Sequence, residues 1–279
     1  MSGEHRMGVN FGSGLHAAPG RAVDTPAYEQ YIGRWSRLFV PALLAAANVA
    51  SGDRVLDVAA GSGEAAAMAL STVEHSGAVV GADISEAMLR AARVRLQGAS
   101  FRPVVMDGQA LAVKDGSFDA VVCQLGLQFF PDPARGVKEF RRVLRPRRWA
   151  AVCVISTPER APMWGLLADT LSRYLPDQRA ALHLSFALAD TARLEHLFRA
   201  ADFRDVRVER ELRQGVVESF DDYWRPIEAG IGQIPQAYLA LPERSQRAVR
   251  DEVRARLSEF ESDGRLVMSA EMLIAAGRA

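Results

Sequence analysis

The stretch "VLDVAAGSGEAAAMAL", Val55 to Leu70, carries a clear signal for one type of fold. An apolar run contains an acidic residue, Asp57, near its end and passes through a turn with Gly61 and Gly63 into an alanine-rich segment. A strand, a glycine turn and a helix in this order are typical of a parallel, doubly wound sheet, whose ligand lies at the carboxyl ends of the strands. The stretch therefore predicts a ligand site with a carboxylate beside it.

Strand-like and helical patterns alternate on both sides of this stretch. The strand-like runs are "RVLDVA", "AVVGADI", "FRPVVMD", "FDAVVCQL" and "WAAVCVIS". Their continuous apolarity matches strands covered by helices on both faces. After Ser156 the pattern predicts helices at 161–175 and 191–201, a strand from Arg204, a long helical segment at 220–261 and a last strand "EMLIAAG". We expect an α/β fold with a doubly wound, mostly parallel seven-stranded sheet.

The same patterns predict how the chain is divided. A glycine-rich, polar arm at residues 1–25 is expected to be flexible. Residues 26–279 are expected to form a single domain. Two helical insertions, at about 157–189 and 217–264, follow strands of the sheet and are expected to form a lid over its carboxyl ends.

Composition restricts the classes of partner. The 279 residues carry 34 basic and 34 acidic side chains, so no net charge draws the chain to nucleic acid. No signal peptide is recognised, and no apolar run reaches the ~18 residues of a membrane span. Cys123 and Cys153 lie in β-branched runs, which predicts buried thiols rather than a disulfide or a metal site. We expect a cytoplasmic monomer or homodimer without a metal.

The glycine turn alone fits either of two ligands or none. Gly61 and Gly63 also satisfy the pattern of dinucleotide-binding folds, and an unliganded tight turn is the third interpretation. Asp57 would repel a pyrophosphate at the start of the following helix, whereas it suits a ligand with an ammonium or sulfonium charge. A nicotinamide-dependent reductase is therefore the less favoured alternative.

Two further carboxylates end the next strands. Asp83 stands about 20 residues beyond the glycines, where a carboxylate can accept from ribose hydroxyls. Its other interpretation is a helix cap, but Ser85 fits that role better. Asp107 can accept from an exocyclic amine, and Gly108 lets the backbone approach a flat ring; a simple turn is the alternative. Three strand ends thus carry three carboxylates.

Together these segments resemble the class I S-adenosylmethionine-dependent methyltransferases, in particular the small-molecule branch that includes the ubiquinone and menaquinone methyltransferases. The resemblance spans about 54–155 and rests on the motifs "VLDVAAGSG", "GADIS", "MDGQAL", "SFDAVVCQLGLQFFPDP" and "RVLRP". It implies S-adenosylmethionine as cofactor, S-adenosylhomocysteine as product and a small, partly hydrophobic methyl acceptor. A binding protein without catalysis is a further alternative.

The resemblance also implies roles for single residues. Asp57 and the Ala59 carbonyl would lie near the ammonium end of the cofactor, and Asp83 would hold its ribose. The other implied cofactor contacts are Gly61, Gly63, Ile84, Met88, Asp107, Gly108, Gln109 and Gln124. In "YEQYIGRWSR", Tyr31 or Arg34 would lie near the cofactor carboxylate, unless this segment is only an amphipathic helix that covers the sheet.

Two departures from the family pattern are visible. Ala59 replaces a glycine of the first motif, and "RPRRW" replaces a proline-glycine-glycine turn before the fifth strand. Ala59 is small enough to keep the loop close. Arg147 and Arg148 predict a different turn conformation, because a positive φ without glycine is unfavourable.

The acceptor side is predicted from aromatic residues in or near the two insertions. The candidates are Phe129, Trp164, His183 and Tyr223. Ordinary core packing is the other interpretation, since aromatic residues at helical spacing usually face a core. His183 and Glu228 are the two candidates for a general base, with structural roles as their alternative, and the atom that receives the methyl group stays open.

Overall fold

The computed structural model describes residues 24–279, so most of the predicted flexible arm lies outside the described residues. Within 24–279, eight strands form one sheet in the order β3-β2-β1-β4-β5-β8-β6, and the short β7 pairs with β8. The strands are β1 Arg54–Val58, β2 Ala78–Asp83, β3 Phe101–Val105, β4 Phe118–Gln124, β5 Leu144–Ile155, β6 Arg204–Val217, β7 Glu261–Ser262 and β8 Arg265–Arg278. The doubly wound sheet is confirmed, with the two-residue β7 added to the seven expected strands.

Strands β1 to β5 run parallel, and β8 enters the sheet antiparallel between β5 and β6. Strand β6 therefore points the same way as β5. The residues that follow β5 and β6 leave from the carboxyl ends of the parallel strands, which is the edge at which such sheets bind ligands. Both predicted insertions, 157–189 and 217–264, start at this edge.

Helices cover both faces of the sheet. They are α1 Thr25–Tyr28, α2 Arg34–Ser36, α3 Val40–Ala46, α4 Glu64–Val73, α5 Glu86–Arg95, α6 Pro133–Val143, α7 Pro162–Tyr174, α8 Arg179–Leu182, α9 Thr191–Ala200, α10 Phe220–Glu228, α11 Gln233–Leu239 and α12 Glu243–Leu257. Of the helices in residues 24–279, none has the length and apolarity needed to cross a membrane.

The long helical segment predicted at 220–261 is helical but interrupted. The segment forms three helices, α10 to α12. Gly230 and Gly232 adopt φ values of +72° and +86°, which end α10 and turn the chain into α11. Pro242 then precedes α12, where a residue without a backbone N–H is tolerated.

Alternate residues of each central strand enter different cores. Val55 and Val122 pack on the face covered by α3, α4 and α7, whereas Leu56 and Val121 pack on the face covered by α6 and α9. This two-sided burial explains the continuous apolarity of the strands. The two cysteines are buried free thiols, as the sequence predicts.

Arg147 and Arg148, where the sequence predicts a turn, lie within the first part of β5 and differ from the expectation. Arg147 adopts a φ of +65° although it is not glycine, so the positive φ is kept rather than avoided. Its backbone N–H donates to the Ala279 carbonyl at 2.9 Å. The Arg148 guanidinium donates to the buried carboxylates of Asp53 and Asp119 at 2.9 and 2.8 Å. The backbone is therefore strained at Arg147, whereas the neighbouring Arg148 compensates the charge of two buried carboxylates.

Candidate functional site

The loop after β1, residues 59–63, is called the glycine loop here. Gly63 ends it at a φ of +85° and begins α4, and a Cβ there would lie only 3.2 Å from the Cβ of Ala92 on α5. Ala59 also has a positive φ, of +58°, and its methyl group occupies the space that Gly126 leaves free. Substitution of glycine by Ala59 is thus accommodated by a second glycine across the loop.

Asp57 lies at the carboxyl end of β1 and is completely buried. Neither of its carboxylate oxygens accepts a hydrogen bond of ordinary geometry from the described residues. Burial raises the pKa of Asp57 from 3.8 to about 8; the Asp83 carboxylate adds to the rise and the Ala66 amide opposes it. A buried carboxylate without a partner is unfavourable unless a cation joins it, so this position suits a positively charged ligand group.

A cavity opens beside Asp57 and is called the loop cavity. The glycine loop, the end of β4 and the residues Tyr28, Ile32 and Ser36 line it. Gln124 donates its side-chain N–H to the Ser36 carbonyl at 3.0 Å, and its buried side-chain oxygen has no partner among residues 24–279. The Gln124 and Asp57 oxygens are therefore acceptors without donors, which fits an ammonium group.

Asp83 connects the glycine loop to α5. Its two carboxylate oxygens accept from the backbone N–H of Gly61 and of Ser85, each at 2.8 Å. The Ser85 hydroxyl in turn caps α5 by accepting from the Met88 N–H at 3.4 Å, as predicted. A carboxylate is a group that can also accept from ribose hydroxyls. Ile84 and Met88 follow on the same segment, and Met88 packs against Gly61.

Hydrogen bonds of the Asp107 and Gln109 side chains fix the segment that follows β3. Asp107 accepts from the backbone N–H of Gln109 at 2.8 Å, and the Gln109 side-chain oxygen accepts from the Asp132 N–H at 2.8 Å. The buried Gln109 side chain thus connects the segment after β3 to the start of α6. The flat ring that Gly108 admits is that of Phe130 in this chain, since a Cβ at Gly108 would collide with it. Close packing against Phe130 is thus a second reason for a glycine at this position.

The chain enters the site through a continuous helix of residues 25–36, called the N-terminal helix. Its middle, Glu29–Gly33, has π-helical geometry between α1 and α2. Tyr28, Ile32 and Ser36 face the loop cavity, whereas Tyr31 and Arg34 line a different cavity. The expectation that Tyr31 or Arg34 lies beside the cofactor carboxylate stays a prediction. Tyr28, which the sequence interpretation missed, occupies the loop side; its four-residue spacing to Ile32 and Ser36 was the available signal.

Charged side chains hold the N-terminal helix on the glycine loop. Glu29 accepts from the Ser62 hydroxyl at 2.9 Å and pairs with Arg37 at 2.7 Å and Arg95 at 2.9 Å. Arg95 also pairs with Glu64 at the start of α4. The pKa of Glu64 is raised by burial and by Glu29, and Arg95 and Arg37 lower it. This charged cluster closes one side of the loop cavity.

A second, smaller cavity is called the aromatic cavity. Its lining residues are Gln30, Tyr31, Arg34, Trp35, Met163, Trp164, Val217 and Tyr223. The predicted acceptor residues Trp164 and Tyr223 are thus together and buried. Phe129, the third aromatic candidate, is half-buried and is not among the described lining residues.

Both candidates for a general base lie away from the two cavities. The His183 Nε2 is 3.1 Å from the Ser172 hydroxyl and 3.5 Å from the Asp169 carboxylate. The Glu228 side chain is 51% exposed and lies 3.8 Å from Arg250. Neither residue is among the described residues that line the loop cavity or the aromatic cavity. This placement argues for structural roles.

Comparison with known proteins gives consistent results. The family described as "Methyltransferase domain" matches residues 56–152. The demethylmenaquinone methyltransferase of Mycolicibacterium vanbaalenii is 34% identical over 186 residues, which are 62% of this chain and 77% of that protein. The demethylmenaquinone methyltransferase of Mycobacterium sp. (strain KMS) is 40% identical over 141 residues, which are 50% of this chain and 57% of that protein. The chain spans about half the length of several curated relatives that it matches.

A solved structure shares the fold. Haemonchus contortus phosphoethanolamine N-methyltransferase 2 in complex with S-adenosyl-L-methionine has a TM-score of 0.58 and 19% identity, covering 90% of this chain and 56% of that one. The strand order, the motifs at the strand ends and the curated relatives agree with one another. The chain belongs to the class I S-adenosylmethionine-dependent methyltransferase family.

Proposed function

We propose that this chain binds S-adenosylmethionine and transfers its methyl group to a small-molecule acceptor, leaving S-adenosylhomocysteine. The buried Asp57 carboxylate carries the proposal, because neither of its oxygens accepts a hydrogen bond of ordinary geometry from residues 24–279 and the residue lines the loop cavity. The fold family binds the cofactor at this edge of the sheet, and the residues present fit its cationic amino-acid end.

The strand-end residues then have the following roles. Asp57 and the free Gln124 oxygen accept from the ammonium group. Asp83 accepts from the ribose hydroxyls while it holds the glycine loop. Asp107 and the Gly108 N–H bind the adenine edge, and Gln109 braces Asp107. The remaining contacts are the loop residues Ala59, Gly61 and Gly63 around the methionyl part, and Ile84 and Met88 around the nucleoside.

When bound, the cofactor supplies a methyl group on a positively charged sulfur, which keeps the bonding electron pair when the acceptor takes the methyl group. The chain contributes position and exclusion of water, which can provide most of the acceleration of such a displacement. The acceptor would bind in the aromatic cavity, whose walls include Trp35, Met163 and Trp164. These walls support a partly hydrophobic acceptor. The cytoplasmic location and the monomeric or dimeric state stay predictions from composition.

Two alternatives make different predictions. A reductase would place a pyrophosphate near the start of α4, beside the Asp57 carboxylate, which is electrostatically unfavourable. A binding protein without catalysis would have no use for an acceptor site. The aromatic cavity, which contains buried polar groups without partners among the described residues, therefore favours the enzyme.

Calorimetry separates the proposal from the reductase. The parent protein is titrated with S-adenosylhomocysteine and with NADPH, and we expect heat of binding only from the first. Asp57→Asn should weaken S-adenosylhomocysteine about 10- to 100-fold, the size of one lost charge-assisted hydrogen bond. Asp115→Asn, at a side chain that is 75% exposed, is the matched control and should bind as the parent does. Tight NADPH binding without a response to S-adenosylhomocysteine would overturn the assignment.

A further inference from the structure

The aromatic cavity contains two buried hydrogen-bond donors that lack acceptors. Tyr31 and Trp164 are 6% and 2% exposed, and neither the Tyr31 hydroxyl nor the Trp164 Nε1–H has a partner among the described residues. An unsatisfied buried polar group costs about 1–3 kcal/mol. Two such groups lining one cavity indicate a ligand that supplies the missing acceptor.

The neighbouring polar groups are already engaged. The Tyr223 hydroxyl donates to the Met163 carbonyl at 2.7 Å, so its proton is not available to a ligand. The Arg34 guanidinium donates through both terminal nitrogens to the Asp222 carboxylate at 3.2 Å, which balances its charge. Gln30, the remaining polar lining residue, is half-buried and can donate or accept.

The Trp164 N–H requires an acceptor, because an indole N–H can only donate. Burial raises the pKa of Tyr31 far above its usual value, so the hydroxyl keeps its proton and can donate to the same acceptor. A cationic amine would leave the Trp164 N–H without an acceptor, and the nearby Asp222 carboxylate is already paired with Arg34. The rest of the wall is apolar or aromatic, including Trp35, Met163 and Val217.

We propose that Tyr31 and Trp164 are specificity-determining residues that bind an uncharged, hydrogen-bond-accepting oxygen of the methyl acceptor. The acceptor class is then a flat, mostly apolar molecule with a carbonyl or ether-type oxygen, and amines are discriminated against. The identification of the bound molecule as the methyl acceptor rests on the proposed function, whereas the preference of the cavity for an oxygen atom does not.

Three small probes with one skeleton test this preference. Acetophenone presents a carbonyl oxygen, α-methylstyrene replaces that oxygen with a methylene group, and 1-phenylethylamine is cationic at pH 7. Each is titrated into ¹⁵N-labelled protein with and without S-adenosylhomocysteine. The four tryptophans provide four indole N–H signals, and Trp164→Phe identifies the one from Trp164.

We expect acetophenone to bind about fivefold more tightly than α-methylstyrene, the fold-change that corresponds to ~1 kcal/mol for one neutral hydrogen bond. It should also move the Trp164 indole signal downfield, and 1-phenylethylamine should not bind. Tyr31→Phe should remove most of the preference for acetophenone. Tyr238→Phe is the matched control, because Tyr238 is equally buried but lies outside the described lining of the cavity, and it should keep the preference.

Equal binding of acetophenone and α-methylstyrene, stronger binding of the amine, or no binding of any probe would overturn the proposal. So would a full preference for acetophenone in Tyr31→Phe. The calorimetric response to S-adenosylhomocysteine reports separately on the proposed function, because the probe titration without that ligand depends only on the aromatic cavity.

Discussion

Asp57 is a buried ionisable residue whose charge is unfavourable in the fold. The sequence places it near the end of the first strand, and the chemistry of a carboxylate beside a glycine loop follows from the sequence alone. Its complete burial and lack of a partner among residues 24–279 come only from the fold. A group whose ionisation is this unfavourable in the fold is typical of a functional site.

The pKa of Asp57 predicts the sign of a pH effect on stability. The folded value of about 8 exceeds the value of 3.8 expected for the unfolded chain, so the fold binds more protons between these pH values. The contribution of Asp57 to the free energy of unfolding should therefore fall as pH rises from about 4 to about 8 and stay level above.

Thermal unfolding without ligand measures this contribution. Asp57→Asn should melt at a higher temperature than the parent at pH 8, and the difference should shrink toward pH 4 because the parent carboxyl becomes neutral. Asp115→Asn should follow the parent curve at every pH. A difference between Asp57→Asn and the parent that does not change with pH would show that Asp57 titrates normally.

At the scale of an element, the N-terminal helix is held by charges rather than by its own length. Residues 25–36 span few helical turns, and short helices depend on tertiary contacts. Arg95 pairs with Glu29 and Glu64 and so keeps two carboxylates together beside the glycine loop. The helix should loosen when this cation is removed.

Hydrogen exchange of the backbone amides tests the role of Arg95. Arg95→Gln should speed exchange in residues 25–36 about fivefold, the change that corresponds to ~1 kcal/mol of local opening. Arg90→Gln is the control on the same helix, since Arg90 pairs only with the exposed Glu86 within the described residues. Equal exchange in Arg95→Gln and the parent would show that apolar packing alone holds the helix.

The first part of β5 is a second element whose sequence departs from the family pattern. Arg147→Gly relieves a left-handed conformation worth about 1–2 kcal/mol and adds about 0.5–1 kcal/mol of chain entropy to be lost on folding. We expect a net gain of about 0.5–1 kcal/mol in the free energy of unfolding. Arg148→Gly removes a partner of two buried carboxylates and should lower it by about 1–2 kcal/mol.

Urea unfolding of the two variants gives these differences directly, with the parent as reference. Because the two arginines are adjacent and the introduced residue is the same, the pair separates backbone strain from charge compensation. Destabilisation of Arg147→Gly as large as that of Arg148→Gly would show that the Arg147 side chain has a structural role.

At the scale of the whole molecule, the sequence was informative where the signal is local. The strand ends at Asp57, Asp83 and Asp107 could be predicted because each follows an apolar run and precedes a turn. The direction of the Tyr31 side chain could not be predicted, because it depends on a π-helical segment and on how the N-terminal helix packs against the rest of the fold. The position of His183 relative to the cavities could not be predicted either, because it depends on how α7 and α8 pack.

The N-terminal helix separates the loop cavity from the aromatic cavity, which among the described residues have no lining residue in common. Ile32 faces one side and Tyr31 the other. If spent cofactor leaves from the first and a fresh acceptor enters the second, displacement of the same helix controls both exchanges. Turnover is then limited by one opening motion per cycle, as in many enzymes with lids, and its rate should depend little on the nucleophilicity of the acceptor.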